Sequence, residues 1–395
     1  MRQIFISDLH IGDGSAKDDF EFDEELIDLL EHFSTQPDVE LIIVGDGLEL
    51  LESRAVKDFG LTSFDVLVSS LDGTVLSNIE SRHPRLFESF RKFSKQHRII
   101  YVVGNHDYYV LGNQRLKDEL RNLLGCEVMP YYYNEDAGLL AMHGNQFDLI
   151  NKFSKDGDGT IVPPLGDYMT RYMMFHFDEY LESLVPAEIL SDYDNVRPSL
   201  DVFHWFERVL EVYDLGVDIL ELWVGAFLKM MQTAEARIWM KKNFPRLRCL
   251  SKVFLNKWGG ITLGSLLVRA VMKIRGMRRS DYLFRKAKRL FREKALTADE
   301  LIGYTDGELR LPELNVVVFG HIHHHAFRVV PVKGQNKFYI NCGTWRPVVE
   351  KVNGRKKYGF QKKAELFYAI VSVPKNGDLE ITTNVKNKTS KSKFL

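Results

Sequence analysis

The sequence predicts a layered α/β domain interrupted by a long helical segment, and three observations carry that reading. Short apolar runs rich in Ile and Val recur along the chain, as buried strands do. Helix-period segments separate some of them. Every run ends on polar residues able to bind a metal. "QIFIS" leads into Asp8, Leu9 and His10, and "LIIVG" leads into Asp46. "RIIYVVG" precedes Asn105, His106 and Asp107; "GLLAM" precedes His143; "NVVVFG" precedes His321 and His323. Between the first two runs, "FDEELIDLLEHF" spaces Phe22, Leu26, Leu29, Leu30 and Phe33 along one helical face. Ligands of layered α/β sheets gather beyond the carboxyl ends of strands, so side chains from five runs can meet there.

The intervals between runs are uneven. Asp8 and Asp46 lie 38 residues apart, as do Asn105 and His143, whereas 178 separate His143 from His321. A single crossover needs far fewer. An insertion is therefore expected over residues 150–296, a lid or interaction module between core segments 1–149 and 297–385. Its charge changes sign midway. Residues 156–235 hold 16 acidic side chains against 4 basic ones. Residues 237–294 hold 18 Lys and Arg against Asp281 and Glu293. Both halves read as helical, and "DYLFRKAKRLFREKA" puts Leu283, Ala287, Leu290 and Phe291 on one face. Thr297 and Glu300 suit a capping box where the chain re-enters the core. Strands are expected in "KFYINCGTW", "AELFYAIVSV" and "LEITTNV", followed by a basic, mobile tail over 386–395.

Composition sets limits. The chain has 395 residues, a formal charge of -1 and 45% hydrophobic residues, a globular balance without polyelectrolyte character. Cys126, Cys249 and Cys342 are far apart and odd in number, which argues against a disulfide framework and Cys-rich zinc sites. The opening "MRQIFISDLH" lacks a signal-peptide apolar region, and the most apolar stretches carry charges. A cytoplasmic chain without a membrane span is expected.

The stretch "VVFGHIHHHAF" taken alone fits either metal ligands or histidines decorating a turn. The rest of the chain decides. Asp8, His10, Asp46, Asn105, His143, His321 and His323 mix oxygen and imidazole donors, which zinc, iron and manganese accept. Seven ligands are too many for one ion. Two ions sharing a bridging carboxylate solve that arithmetic, and Asp46, midway in the series, is the expected bridge. Two cations about 3.5–4 Å apart stabilise the attacking and leaving oxygens of a phosphate ester and turn bound water into hydroxide near neutral pH.

The motifs "DLH", "GDGLE", "GNHD", "HGN" and "GHIH", in that order, resemble those of the calcineurin-like metallophosphoesterases. The resemblance implies a four-layer α/β/β/α sandwich with the helical insertion outside the shared fold. It also implies that Asp8, His10, Asp46 and His323 hold one divalent ion (Mn, Fe or Zn), and Asp46, Asn105, His143 and His321 the other. His106 matches the family histidine that binds phosphate and protonates the leaving group, with Asp107 as a guessed orienting carboxylate. Glu49 stands near a second acidic position of the "GD" motif and is expected to serve helix-start structure. Asn145 replaces a frequent aspartate. His324 and His325 have no counterpart and are expected at the surface or in support, and Asn341 and Cys342 in packing.

Within the family the chain looks most similar to the UDP-2,3-diacylglucosamine pyrophosphatase branch. That likeness implies a lipid-linked or nucleotide-linked phosphoester or pyrophosphate, cleaved at an anionic membrane surface that the insertion meets. The branch tends to carry arginine where His106 stands, and its insertion is smaller. A nuclease or nucleotide phosphodiesterase is the alternative, with the basic half following a phosphate backbone and Phe244, Phe254 and Trp258 stacking on bases. Pairing of the basic half with the acidic half is a third use of those cations. A non-catalytic scaffold predicts eroded ligands, and all seven are present here.

Overall fold

The computed structural model describes residues 1–197, 201–214, 216–243, 279–353, 358–373 and 379–393. Contacts divide the chain into two compact units. The first comprises Met1–Leu149, Ser280–Arg346 and Glu365–Lys388; the second comprises Ile150–Arg279, Pro347–Ala364 and Thr389–Leu395.

Two large sheets form much of the first unit. In one, β1 (Arg2–Ile6), β2 (Val39–Val44), β3 (Arg98–Val102) and β4 (Glu127–Met129) lie parallel in spatial order β4-β3-β2-β1. The other contains β5 (Tyr132–Asn134), β6 (Leu139–Ala141), β7 (Val316–Phe319), β8 (His325–Val332) and β9 (Gln335–Cys342), ordered β8-β9-β7-β6-β5. Strands β6 and β7 are parallel neighbours, Leu139 opposite Val316, despite their distance in sequence. Phe5, Ile42, Val44, Ile100 and Val102 from the first sheet share a buried cluster with Leu139, Ala141, Val316, Val318 and Ile340 from the second. The period of two sends Leu41, Ile43, Ile99 and Tyr101 to the opposite face, where they are buried too. Strands covered on both faces read as continuous apolar runs, which is why these stand out in the sequence.

Helices of this unit bury one apolar face each. Helix α1 (Asp23–Ser34) buries Leu26, Leu29, Leu30 and Phe33 as its spacing predicts, together with Ile27. Helix α2 (Arg279–Glu293) packs Leu283, Ala287, Leu290 and Phe291 against Leu140, Met142, Val317, Phe319 and Tyr339 of the second sheet. Its place in the sequence, before residue 297, puts this helix in the expected insertion. Its apolar stripe instead joins the first unit, whose second segment begins at Ser280. The capping box forms: Glu300 accepts from the Thr297 amide at 3.1 Å and also takes Lys286 at 2.5 Å.

The second unit is helical over Leu165–Met173, Ala187–Asp194, Val202–Tyr213, Ile219–Met230 and Ala234–Asn243. Strand β10 (Val348–Asn353) runs antiparallel to the first half of β11 (Tyr358–Ser372), and Trp205 packs edge-on against Phe360 at 5.0 Å. Part of its acidity is neutralised internally. Buried Asp192 pairs with Lys362 at 2.9 Å, and Asp167 with Arg171 at 2.8 Å. The cationic stretch 244–278, with Phe244, Cys249, Phe254 and Trp258, lies outside the described residues. The second half of β11 pairs with β1, Phe5 opposite Ala369. Residues 386–393, expected as a mobile tail, instead end β12 (Glu380–Lys393). Among the described residues no helix is long and apolar enough to cross a membrane.

Leu290 tests the packing of α2. Leu290→Ala should lower the unfolding free energy by about 2–5 kcal/mol in a denaturant titration. Arg285→Ala, on the exposed face of the same helix, should stay within about 0.5 kcal/mol.

Candidate metal centre

Each expected ligand follows a strand of the first unit. Asp8 and His10 follow β1, Asp46 follows β2, Asn105 and His106 follow β3, His143 follows β6, and His321 and His323 follow β7. The chain must turn sharply there to keep those side chains together, and the backbone records it. Asp8, His10, Asp46, His321 and His323 have φ of 51°, 51°, 50°, 71° and 53°. Residues with a Cβ avoid this region, at a cost of about 1–3 kcal/mol each, unless their surroundings over-determine it. Here they do. The Asp8 amide donates to the Gly45 carbonyl at 3.1 Å and the His10 amide to the Asp46 carbonyl at 3.0 Å. The His321 amide donates to the Asp8 carboxylate at 3.0 Å, and the His106 amide to Asp46 Oδ1 at 2.8 Å. Gly104 allows the last contact: a Cβ there would sit 2.1 Å from Asp46 Oδ1.

The side chains converge. Asp8, His10 and His323 offer ligand atoms within 4.8 Å of one another, as do Asp46, His143 and His321. His10 Nε2 lies 3.3 Å from His323 Nε2, and His143 Nε2 lies 3.0 Å from Asp46 Oδ2. The rings of His143 and His321 are 5.2 Å apart. Asn105 brings a buried Oδ1 that accepts no hydrogen bond from the described residues. A buried acceptor left so is costly, and a cation is the partner that suits it. Three imidazoles have one nitrogen fixed from behind, which aims the other inward. His10 Nδ1 meets Glu49 Oε2 at 2.7 Å, His143 Nδ1 meets the Val44 carbonyl at 2.9 Å, and His321 Nε2 meets Asp148 Oδ2 at 3.3 Å.

Charge sets the chemistry. Asp8 and Asp46 are 0% and 1% exposed. Burial alone would raise their pKa values, yet the surrounding imidazoles, His143 foremost, hold both below the ordinary range. The histidines answer in kind. Burial disfavours the charged His143, but Asp46 and Asp8 outweigh it and push its pKa up to about 9. Burial likewise opposes charge on His106, while Glu49 and Asp46 raise it to about 10. Without cations, this cluster balances its buried carboxylates with protons. Divalent ions would supply the same positive charge, and the mixed oxygen and imidazole donors fit them.

Two expectations are corrected. Asp107 does not orient His106. Its carboxylate accepts from the Gly47 amide at 3.0 Å, the Gly104 amide at 2.6 Å and the Tyr101 hydroxyl at 2.7 Å, so it braces the turn. Burial, then Asp46, lifts its pKa to about 7. The group beside His106 is Glu49, whose Oε1 meets Nδ1 at 2.8 Å while Oε2 holds His10. One carboxylate thus serves both rings, beyond the structural role expected of it. Two further groups at the site carry no sequence signal: Asp148, which no motif flags, and Arg346, buried against Asp19 at 2.9 Å and Glu52 at 3.4 Å, and 3.9 Å from Glu49. His324 is exposed, and His325 pairs with Glu365 at 3.2 Å and stacks on Phe367. Asn341 donates to the Gly320 carbonyl at 2.7 Å, and Cys342 is buried in the core.

The raised histidine values have a stability consequence in metal-free protein. A folded pKa above the unfolded value of about 6.5 gives stability present below that pH and lost as pH climbs through the folded value. Chelator-treated protein should therefore melt at lower temperature as pH rises from about 7 to 9, with His143 titrating near about 9. Saturating Mn2+ should flatten that decline in thermal scans. A flat metal-free profile would contradict the charge balance described.

A model of the calcineurin-like phosphoesterase family matches residues 1–220. The matched span includes Asp8, His10, Asp46, Asn105, His106 and His143, while His321 and His323 lie beyond it. A search of curated proteins returned no match. Family members are phosphoester hydrolases that typically use two divalent metals, and the donor groups assembled here are of a kind that holds them. The chain belongs to the calcineurin-like phosphoesterase family and is a metal-dependent phosphoester hydrolase.

Proposed function

We propose that the protein cleaves a phosphoester or pyrophosphate bond with two divalent cations, Mn, Fe or Zn. The observation that carries this reading is the convergence of Asp8, His10 and His323, and of Asp46, His143 and His321, two buried carboxylates among them, from separate strand ends. Asp8, His10, Asp46 and His323 would hold one ion; Asp46, Asn105, His143 and His321 would hold the other. When bound, the ions supply Lewis-acid stabilisation of phosphate oxygens and a lowered pKa for water. His106 serves as proton donor: Glu49 fixes Nδ1 at 2.8 Å and leaves Nε2 to hand a proton to the departing oxygen. Arg346 and the Glu52 amide, 3.0 Å from Glu49 Oε1, support that carboxylate.

The fold we assign to the first unit is the family's four-layer α/β/β/α sandwich, supported by the core between its sheets and the helix packed outside one of them. The substrate class we favour is a lipid-linked or nucleotide-linked phosphoester, met in the cytoplasm at an anionic membrane surface. Its support is the 18 Lys and Arg over 237–294 and the branch likeness of the N-terminal motifs.

Metal analysis should find two Mn2+ equivalents, and chelation should abolish turnover of bis(p-nitrophenyl) phosphate. Asp46→Asn should lose metal and lower kcat about 10³-fold, since several kcal/mol of charge stabilisation depend on it. Glu49→Gln should keep at least one ion and lose about 10²-fold in kcat, within the range of a misplaced proton donor. For the substrate class, lipid-linked diesters should be turned over faster than short soluble ones, with binding to phosphatidylserine vesicles. Equal rates and no vesicle binding would count against the lipid reading; a steep salt-dependent affinity for RNA or DNA would favour the nucleic-acid alternative.

A further inference from the structure

The turn that carries Asn105 is gripped from behind. The Asn145 side-chain amide donates to the Tyr304 hydroxyl at 2.6 Å, and that hydroxyl donates to the Gly104 carbonyl at 3.0 Å. All three groups are buried, Asn145 at 0% and Tyr304 at 6% exposure. Tyr108, on the same turn, donates to the Gly303 carbonyl at 2.5 Å. Residues 303 and 304 thus hold both sides of the 104–108 turn. The peptide of Gly104 leads directly into Asn105, whose buried Oδ1 accepts no hydrogen bond from the described residues. A side chain with one orphaned donor atom and a short, clamped backbone depends on that clamp for its aim.

The chemistry of the chain of bonds is directional. A tyrosine hydroxyl has one proton; to give it to a carbonyl it must accept from its other neighbour. Asparagine at 145 can donate to it. The aspartate frequent at this motif position can only accept, so the hydroxyl proton would turn toward it and leave the Gly104 carbonyl without its partner. This gives the "HGN" motif of this sequence a reason that charge does not.

We infer that Asn145 and Tyr304 are positioning residues, whose hydrogen-bond chain through Gly104 sets Asn105 as a metal ligand. The inference rests on the two-cation reading. Outer partners of this kind typically change metal affinity about 10–100-fold. The sign separates the idea from simple electrostatics, because a carboxylate two residues from His143 would by charge alone tighten cations.

The test uses full-length wild type, Tyr304→Phe, Asn145→Asp and the double variant. Mn2+ affinity is read by competition with a chromogenic chelator, and kcat and KM with bis(p-nitrophenyl) phosphate. Each single variant should weaken the looser Mn2+ at least tenfold. Its kcat should recover in excess Mn2+ with KM unchanged, and the double variant should be no worse than the weaker single one. Weakening below tenfold in a folded single variant, tighter Mn2+ in Asn145→Asp, or multiplying effects in the double variant would overturn the inference. If Tyr304→Phe does not fold, Asn145→Asp, which adds no volume, decides alone. A wild type that binds no Mn2+ sinks the two-cation reading; a wild type that binds two, with unaffected variants, sinks only this inference.

Discussion

Two carboxylates taken fully out of water govern this structure. Asp8 and Asp46 are buried within one cluster, and like charges so placed cannot both stay ionised unless positive charge surrounds them. Imidazoles provide part of it, and their pKa values rise in consequence. The hydrogen bonds around the site follow the same logic. Backbone amides of His321 and His106 point at the two carboxylates, and Glu49 stands behind two of the rings. Removing a bond from this set leaves a buried charge or ring without its counterpart, which is why the centre depends on groups that never touch one another.

The two sheets explain how such a cluster can be held. Parallel strands bring their carboxyl ends to one edge, and the shared core fixes their mutual height. Local backbone then does the aiming. Five of the seven expected ligands occupy left-handed conformations that ordinary loops avoid. The core absorbs that strain because its strands are buried on both faces and cannot shift to relieve it. Rigidity in the sheets and strain at their ends are two aspects of one arrangement.

Much of this was legible in the sequence, and for a physical reason. Doubly buried strands leave unbroken Ile and Val runs, and ligands at strand ends fall directly behind them. The helical spacing of Leu283, Ala287, Leu290 and Phe291 also read correctly as one face, although not which unit that face would join. Periodicity reports that a stripe is apolar; it carries no address. What stayed hidden were groups whose role depends on contact across the fold. Glu49 looks like part of a helix start and Asp107 like a neighbour of His106, while no motif singles out Asp148 or Arg346. Adjacency in sequence favours Asp107, whereas the turn sends its carboxylate to Tyr101 and backbone amides instead. Only the geometry separates the two acids.

The pairing of β6 with β7 carries a consequence for biosynthesis. These neighbours come from distant parts of the chain, joined in parallel with Leu139 opposite Val316. A ribosome adding roughly 5–20 residues per second would expose the early half of the cluster for many seconds before the closing histidines emerge. Contacts spanning such loops form late because their closure entropy must be met first. Until His321 and His323 are made, the nascent polypeptide carries Asp8, His10, Asp46, Asn105 and His143 without them, a period when a chaperone, or an ion of the wrong kind, would find them open.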